Sequence, residues 1–278
     1  MTAAKPPGIR RGQMVALAAS IVLLYTWVLL PDVLLPDSFV ILASREDGLV
    51  ESLGALSLLM AGALFFLCFL SARRARCERV TQLFLLGLAV AFIVGAGEEV
   101  SWGQRVVGYE PPTVVKENNY QHELNLHNFD EVGYWGVWRA FKVFTLLFVV
   151  ALPLIAWRNP RARGFLSRYV PIVPLAFGGL FLLVEVMNAL ATYVYPNEWV
   201  LPDGSWNDVM FPTSGPWESD STSETAYSLL WAVVSFNLLR AAEVTREHTR
   251  ERRKGKYKLR GARGQGAPRD RAPAHARR

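Results

Sequence analysis

Residues 83–105 read LFLLGLAVAFIVGAGEEVSWGQR. From Leu83 to Ala96 there is no charged side chain. A helix that crosses a bilayer needs about 20 mostly apolar residues, and the run beginning at Val80 supplies them. It then closes on two carboxylates, Glu98 and Glu99, followed by a serine, a tryptophan and an arginine. An apolar helix that ends on paired acids predicts a membrane span with a polar site at one of its ends.

The rest of the chain repeats the apolar pattern. Of 278 residues, 51% are hydrophobic, and the mean hydropathy is +0.19. That composition excludes an ordinary soluble domain and predicts an all-α polytopic membrane protein. Six segments have spanning character: Met14–Leu35, Leu49–Leu70, Val80–Gly97, Tyr134–Trp157, Val170–Tyr193 and Thr225–Leu239. The fourth carries Pro153, which membrane helices accept as a kink. The sixth is the shortest. The first follows Lys5, Arg10 and Arg11 but has no small-residue cleavage site after it, so it reads as a retained span and not as a signal peptide.

Orientation follows from Lys and Arg in the connections. The N-terminus, the second-to-third and fourth-to-fifth connections and the C-terminal tail hold 25 of them; the opposite side holds 5, namely Arg45, Arg105, Lys116, Arg139 and Lys142. Both termini are therefore expected in the cytoplasm of a bacterial cell, with the protein in the cytoplasmic membrane. The expected layout is a cytoplasmic segment 1–13, a transmembrane domain 14–241 with outer loops 36–48, 98–133 and 194–224, and a tail 242–278. From Arg240 onward there are 14 Lys/Arg against 4 Asp/Glu. Such a segment is expected to be disordered and to attract anionic lipid head groups. No aromatic platform accompanies its charge, so nucleic acid is not an expected partner. The two cysteines, Cys68 and Cys77, do not form a disulfide framework.

Under that topology the unusual polar residues gather at the outer interface. Glu51 opens the second span, Glu98 and Glu99 close the third, and Glu224 opens the sixth. Glu185 and Asn188 lie inside the fifth. A charge within a span costs about 2.5–3.5 kcal/mol on insertion scales, so it usually faces the bundle and has a partner. Continued as a helix past Glu98, the third span would set Glu98, Ser101, Trp102 and Arg105 on one stripe and Glu99 about 100° away. Gly108 and Pro111-Pro112 then end the segment, and a short helix is expected from Thr113. Trp102, Tyr109, Trp135, Trp138 and Tyr193 map near the interface, where aromatic belts are usual.

The outer loop also holds NNYQHELNLHNF, residues 118–129. His122 and His127 are five apart, so they do not form an H-E-x-x-H zinc helix. Glu123 and His127 have i, i+4 spacing and could share a metal on a helix, whereas LNLHN alternates like an extended segment. Several carboxylates with imidazole suit Mg²⁺, Mn²⁺, Ca²⁺ or Zn²⁺. The metal candidates are Glu51, Glu98, Glu99, Glu123, His127 and Glu224; the catalytic candidates are Glu98, Glu99, Arg105, His127 and Glu185. The expected activity is a metal-assisted hydrolase or transferase acting on a lipid or lipid-linked substrate, with Arg105 steadying an anionic group. Alternatives are a proton- or ion-coupled transporter, from the intramembrane Glu185 and Asn188, and a membrane subunit that docks a protein through its acidic loops. No serine-hydrolase elbow, phosphate loop or C-x-x-C is present.

The pair EEVSWGQR and NLHN resembles a group of bacterial multi-pass membrane proteins that carry an E-E-x-S-W-G-Q-R block followed by N-L-H-N. The resemblance spans Glu98 to Asn128 and implies that the outer loop is the distinctive part; it brings no known reaction. Ceramidase-like membrane hydrolases use three histidines across their spans, and no predicted span here contains one.

Overall fold

The computed structural model describes residues 11–29, 48–119, 123–125, 134–194 and 222–245. Among them the regular structure is helical. Three helices are long and apolar enough to cross a membrane: Leu49–Arg74, Arg79–Glu99 and Gly136–Arg158. Arg11–Thr26 and Ala176–Ala191 are shorter apolar stretches. In chain order the elements are α1 Arg11–Leu29, α2 Leu49–Arg74, α3 Arg79–Glu99, α4 Gln104–Val107, α5 Thr113–Asn118, α6 Tyr134–Leu146, α7 Leu152–Arg158, α8 Pro160–Leu166, α9 Ala176–Val194 and α10 222–245. The predicted disordered tail begins later than Ala242, since residues 242–245 continue the last helix; the remainder of the tail, His122 and His127 lie outside the described residues.

Helices α2 and α3 form an antiparallel hairpin closed by Ala75–Glu78. Small residues let them approach: a Cβ on Gly62 would sit 2.7 Å from Ile93 Cγ1 and 3.1 Å from Ala89 O. Close backbone approach over small residues is the usual basis of helix association in lipid, where apolar burial gives little drive. Just beyond it Phe65 stacks on Phe92 with ring centroids 5.5 Å apart. Large apolar side chains on the outer faces stay exposed, such as Leu56 at 61% and Leu83 at 67%. This suits helices whose backs contact hydrocarbon.

The sixth apolar segment, expected to be the shortest, is instead a helix over 222–245 and the most enclosed. Ala226, Tyr227, Leu230, Trp231 and Val234 are all fully buried. So are Thr222, Ser223, Thr225 and Ser235. These hydroxyls lowered the apparent length of the span, because they read as polar in a hydropathy window although the helix backbone can satisfy them. Ser228 Oγ donates to Glu224 O at 2.7 Å and Ser235 Oγ to Ala232 O at 2.8 Å. Thr225 Oγ1 reaches another helix, donating to Val50 O at 2.8 Å. A Cβ on Gly54 would fall 2.9 Å from that same Oγ1, so glycine makes the contact feasible.

Pro153 leaves a different mark from a simple kink. It has no N–H to give to Val149 O. The chain widens into a π-turn over Leu147–Ala151, in which Leu152 N–H reaches back to Leu147 O, and then continues as α7. Such turns are one way a membrane helix accommodates a proline. The freed Val149 carbonyl faces Gly178 of α9, where an added Cβ would lie 2.9 Å from Val149 O and 3.2 Å from Val150 Cγ2. The start of α9 is also later than the predicted Val170. Pro171 and Pro174 disfavour helix in the residues before them, so 171–174 is irregular and the helix begins at Ala176.

Gly178→Ala is expected to destabilise the folded protein by about 1–3 kcal/mol through overpacking. Gly179→Ala, one residue away with open space around its Cα, is expected to be neutral or up to about 1 kcal/mol more stable from helix propensity. Thermal unfolding of the two variants in the same detergent measures the difference.

Candidate functional site

Helix α3 does not continue past its acids. It ends at Glu99, Val100 leaves the helical region, and Ser101, Trp102 and Gly103 follow with φ of +44°, +53° and +80°. The predicted stripe of Glu98, Ser101, Trp102 and Arg105 is therefore broken. Arg105 sits on the separate short helix α4, on the far side of a left-handed turn. Positive φ is costly for serine and tryptophan, so the turn must be held by its surroundings. Gly97 supplies part of this. The Trp102 ring folds back onto α3 to within 2.9 Å of where a Gly97 Cβ would be, and Trp102 Nε1 donates to Glu98 Oε1 at 2.7 Å. The i, i+4 pair thus meets despite the break.

The remaining support comes from the second motif. Ser101 is fully buried, and Asn119 and Asn125 nearly so. Ser101 Oγ donates to Glu123 Oε2. Asn125 Nδ2 donates to Ser101 Oγ at 3.3 Å and to Glu123 Oε2 at 3.4 Å. Asn119 Nδ2 donates to Asn125 O at 2.8 Å and to Asn125 Oδ1 at 2.9 Å. Gln104 Oε1 accepts from Leu124 N at 2.7 Å. The EEVSWGQR and NNYQHELN blocks are therefore the two halves of one hydrogen-bonded clamp. Glu123 lies in a bend, so it has no helical i, i+4 relation to His127, which is outside the described residues. With its hydroxyl taken up by Glu123, the enclosed Ser101 serves the clamp and is closed to a substrate.

Four of the expected carboxylates, Glu51, Glu98, Glu99 and Glu224, lie at or near helix ends, and Glu185 lies within α9. Glu98 and Glu99 end α3, both half-buried. Glu51 and Glu224 each adjoin the pinned pair Val50 and Thr225 at the start of α2 and α10. Glu185 is apart from both. It accepts a hydrogen bond from Tyr227 Oη and lies 3.7 Å from Lys142 Nζ. Lys142, counted from sequence among the outer-loop cations, is inside the spanning helix Gly136–Arg158. Its ammonium also lies over the rings of Trp138, at 5.2 Å, and Tyr227, at 5.8 Å. Trp138 is only 8% exposed and belongs to this cluster, not to an outer belt. Among the described residues no three His, Cys, Asp or Glu side chains group so as to hold a metal ion.

Sequence reasoning overlooked Ser101 as a clamp residue, Gln104, Asn119, Lys142 and Tyr227. The recurrence of polar side chains at 119, 123 and 125 was the available signal for the clamp. No family model, curated protein or solved structure matches the chain.

Ser101→Ala removes the donor to Glu123 and the acceptor of Asn125. A buried polar group left unpaired costs about 1–3 kcal/mol, so the loop is expected to open. Limited proteolysis of the intact protein should cut between Gln104 and Asn125 several-fold faster in this variant than in wild type. Trp102→Phe, which loses one partly exposed bond, should change the rate little.

Proposed function

We propose that the chain is a six-span protein of the bacterial cytoplasmic membrane, with both ends inside and the clamped loop outside. In this reading it is an enzyme that acts on a lipid or lipid-linked substrate at the outer interface, assisted by a divalent metal (Mg²⁺, Mn²⁺, Ca²⁺ or Zn²⁺). The observation that carries it is the clamp. A docking loop has no need of a strained left-handed turn held by buried amides, whereas catalysis needs side chains held to within a fraction of an ångström. The clamp anchors the end of α3, with Glu98 and Glu99, to a segment that reaches His127 two residues after Asn125. That distance is at most about 7 Å of chain. Glu98 and Glu99 with His127 are the proposed metal ligands or base, with Glu51, Glu123 and Glu224 as further acids. Arg105 is proposed to hold an anionic group of the substrate. A bound metal would supply an activated water or a polarised acceptor oxygen.

The orientation rests on the arginines. Arg73, Arg74, Arg76 and Arg79 flank the α2–α3 turn, and Arg158, Arg161, Arg163 and Arg168 surround α8. Thr81 Oγ1 ties these two segments together, donating to Arg168 O at 2.6 Å. The basic tail 242–278 would lie on the same side, against anionic head groups.

A transporter is the second reading, favoured by a different observation: Lys142, paired with Glu185 of α9, lies five residues before the π-turn of its own spanning helix. Intramembrane ion pairs beside interrupted helices recur in ion pathways. Uptake into proteoliposomes that Glu185→Gln abolishes would replace the enzyme reading with this one.

Elemental mass spectrometry of the purified full chain is expected to find near-stoichiometric metal that Glu98→Gln, Glu99→Gln and His127→Ala each reduce severalfold. Metal-free protein, after purification with these ions supplied, would overturn the metalloenzyme. Sidedness has its own test in Cys77, exposed in the α2–α3 turn while Cys68 is buried. A membrane-impermeant maleimide should label Cys77 only after cells are opened. Burial on one side and the neighbouring Glu78 push this thiol above its ordinary value. Since the thiolate is the nucleophile, labelling should be slow at neutral pH and accelerate as pH rises.

A further inference from the structure

A cleft of about 250 Å³ lies between the spanning helix Gly136–Arg158 and α9, lined by Lys142, Val143, Leu146, Phe181 and Glu185. Its rim faces outward from the bundle, since Val143 is 53% and Leu146 40% exposed. In a membrane that rim meets acyl chains. Both charged groups lie within their helices: Lys142 is eight residues from the first residue of α6, about 12 Å along the axis, and Glu185 is nine residues from the last of α9, about 13 Å.

Lys142 is the informative residue. An ammonium carries three N–H donors. Among the described residues Nζ makes no hydrogen bond; its partners are the Glu185 carboxylate at 3.7 Å and two aromatic faces. That is beyond the length of a charge-assisted hydrogen bond, roughly 2.7–2.9 Å. Glu185 is in turn held by the Tyr227 hydroxyl. A donor left without an acceptor, at a place where lipid and not water arrives, is costly. An oxygen from a lipid would satisfy it.

We propose that this cleft binds the head of a neutral, hydroxyl-bearing lipid of the diacylglycerol type. The lipid hydroxyl accepts from Lys142 Nζ and donates to Glu185, and the acyl chains run out over Val143, Leu146 and Phe181. The pair is neutral overall, so an uncharged head leaves both charges compensated. A phosphate would meet the Glu185 carboxylate as a like charge. The depth agrees, because phosphorylated heads sit at the interface and a lone hydroxyl follows its chains inward. The site rests on the membrane-embedded position of these helices and is independent of the metal chemistry proposed for the loop.

Native mass spectrometry of the full chain released from detergent micelles tests this, with 1,2-dioctanoyl-sn-glycerol as the probe. One bound glyceride per chain is expected, with the bound fraction falling about tenfold in Lys142→Met, as fits loss of a charge-assisted hydrogen bond. Leu146→Trp fills the rim without touching the ion pair and should lower binding equally, which covers the case in which the Lys142 variant does not fold. Dioctanoyl phosphatidic acid should bind more weakly than the glyceride. Absence of the adduct, equal adducts in wild type and Leu146→Trp, or tighter binding of the phosphatidic acid would each overturn the assignment.

Discussion

Trp231 is the point on which the bundle turns. Its indole is fully buried, with Phe92 at 5.0 Å, Phe148 at 5.2 Å, Phe144 at 5.3 Å and Phe65 at 6.0 Å between ring centroids. These rings come from α2, α3, α6 and the π-turn. An indole N–H in an apolar interior needs an acceptor, and Thr145 Oγ1 supplies it at 3.0 Å. That single bond orients the central helix within the ring of aromatics. Ring pairs of this kind add about 0.5–1.5 kcal/mol each beyond simple burial. In lipid, where apolar area alone does not favour association, such specific contacts carry most of the cohesion.

From that centre the polar features are arranged by which end of the bundle they occupy. Tyr227 lies one turn before Trp231 on α10 and touches Trp138, Phe141 and Phe181. Its hydroxyl points the other way, at Glu185. The aromatic core and the Lys142–Glu185 pair are therefore consecutive layers of one assembly. Two residues nearer the start of α10 than Tyr227, Thr225 binds the α2 backbone, and α3 at that end runs into the clamp. The opposite end carries the arginine-rich turn and α8. The polarity of the molecule along the helix axis follows from this order of layers.

The clamp illustrates how local strain and nonlocal bonding depend on each other. Ser101 and Trp102 adopt conformations that a free peptide would rarely visit. Glu123 and Asn125 hold Ser101 there, with Asn119 bracing Asn125, and Glu98 holds the Trp102 ring; the buried amides are enclosed because the turn brings Ser101 to them. Neither half is expected to persist without the other. This cooperativity gives a physical reason for two polar blocks separated by twelve residues to occur together.

Much of the fold was legible in the sequence. The spanning helices Leu49–Arg74 and Arg79–Glu99 follow from apolar length, because a bilayer penalises any other use of such runs. The short helix after Pro111-Pro112 follows from proline sterics. The unusual nature of the Glu98–Asn125 region was legible too, from acids and amides placed against an apolar run. Pairing was not. Nothing in the spacing of residues says that Ser101 would leave the helix and meet Glu123, because a left-handed turn at non-glycine residues is stable only once its partners have arrived. Nor does the sequence reveal that Lys142, six residues into a span, would answer Glu185. Periodicity assigns a residue to a face of its own helix, but which faces meet is decided by packing. The burial of 222–245 was hidden for the same reason. Its hydroxyls read as polar in one dimension, and the acceptor that Thr225 finds on α2 exists only in three.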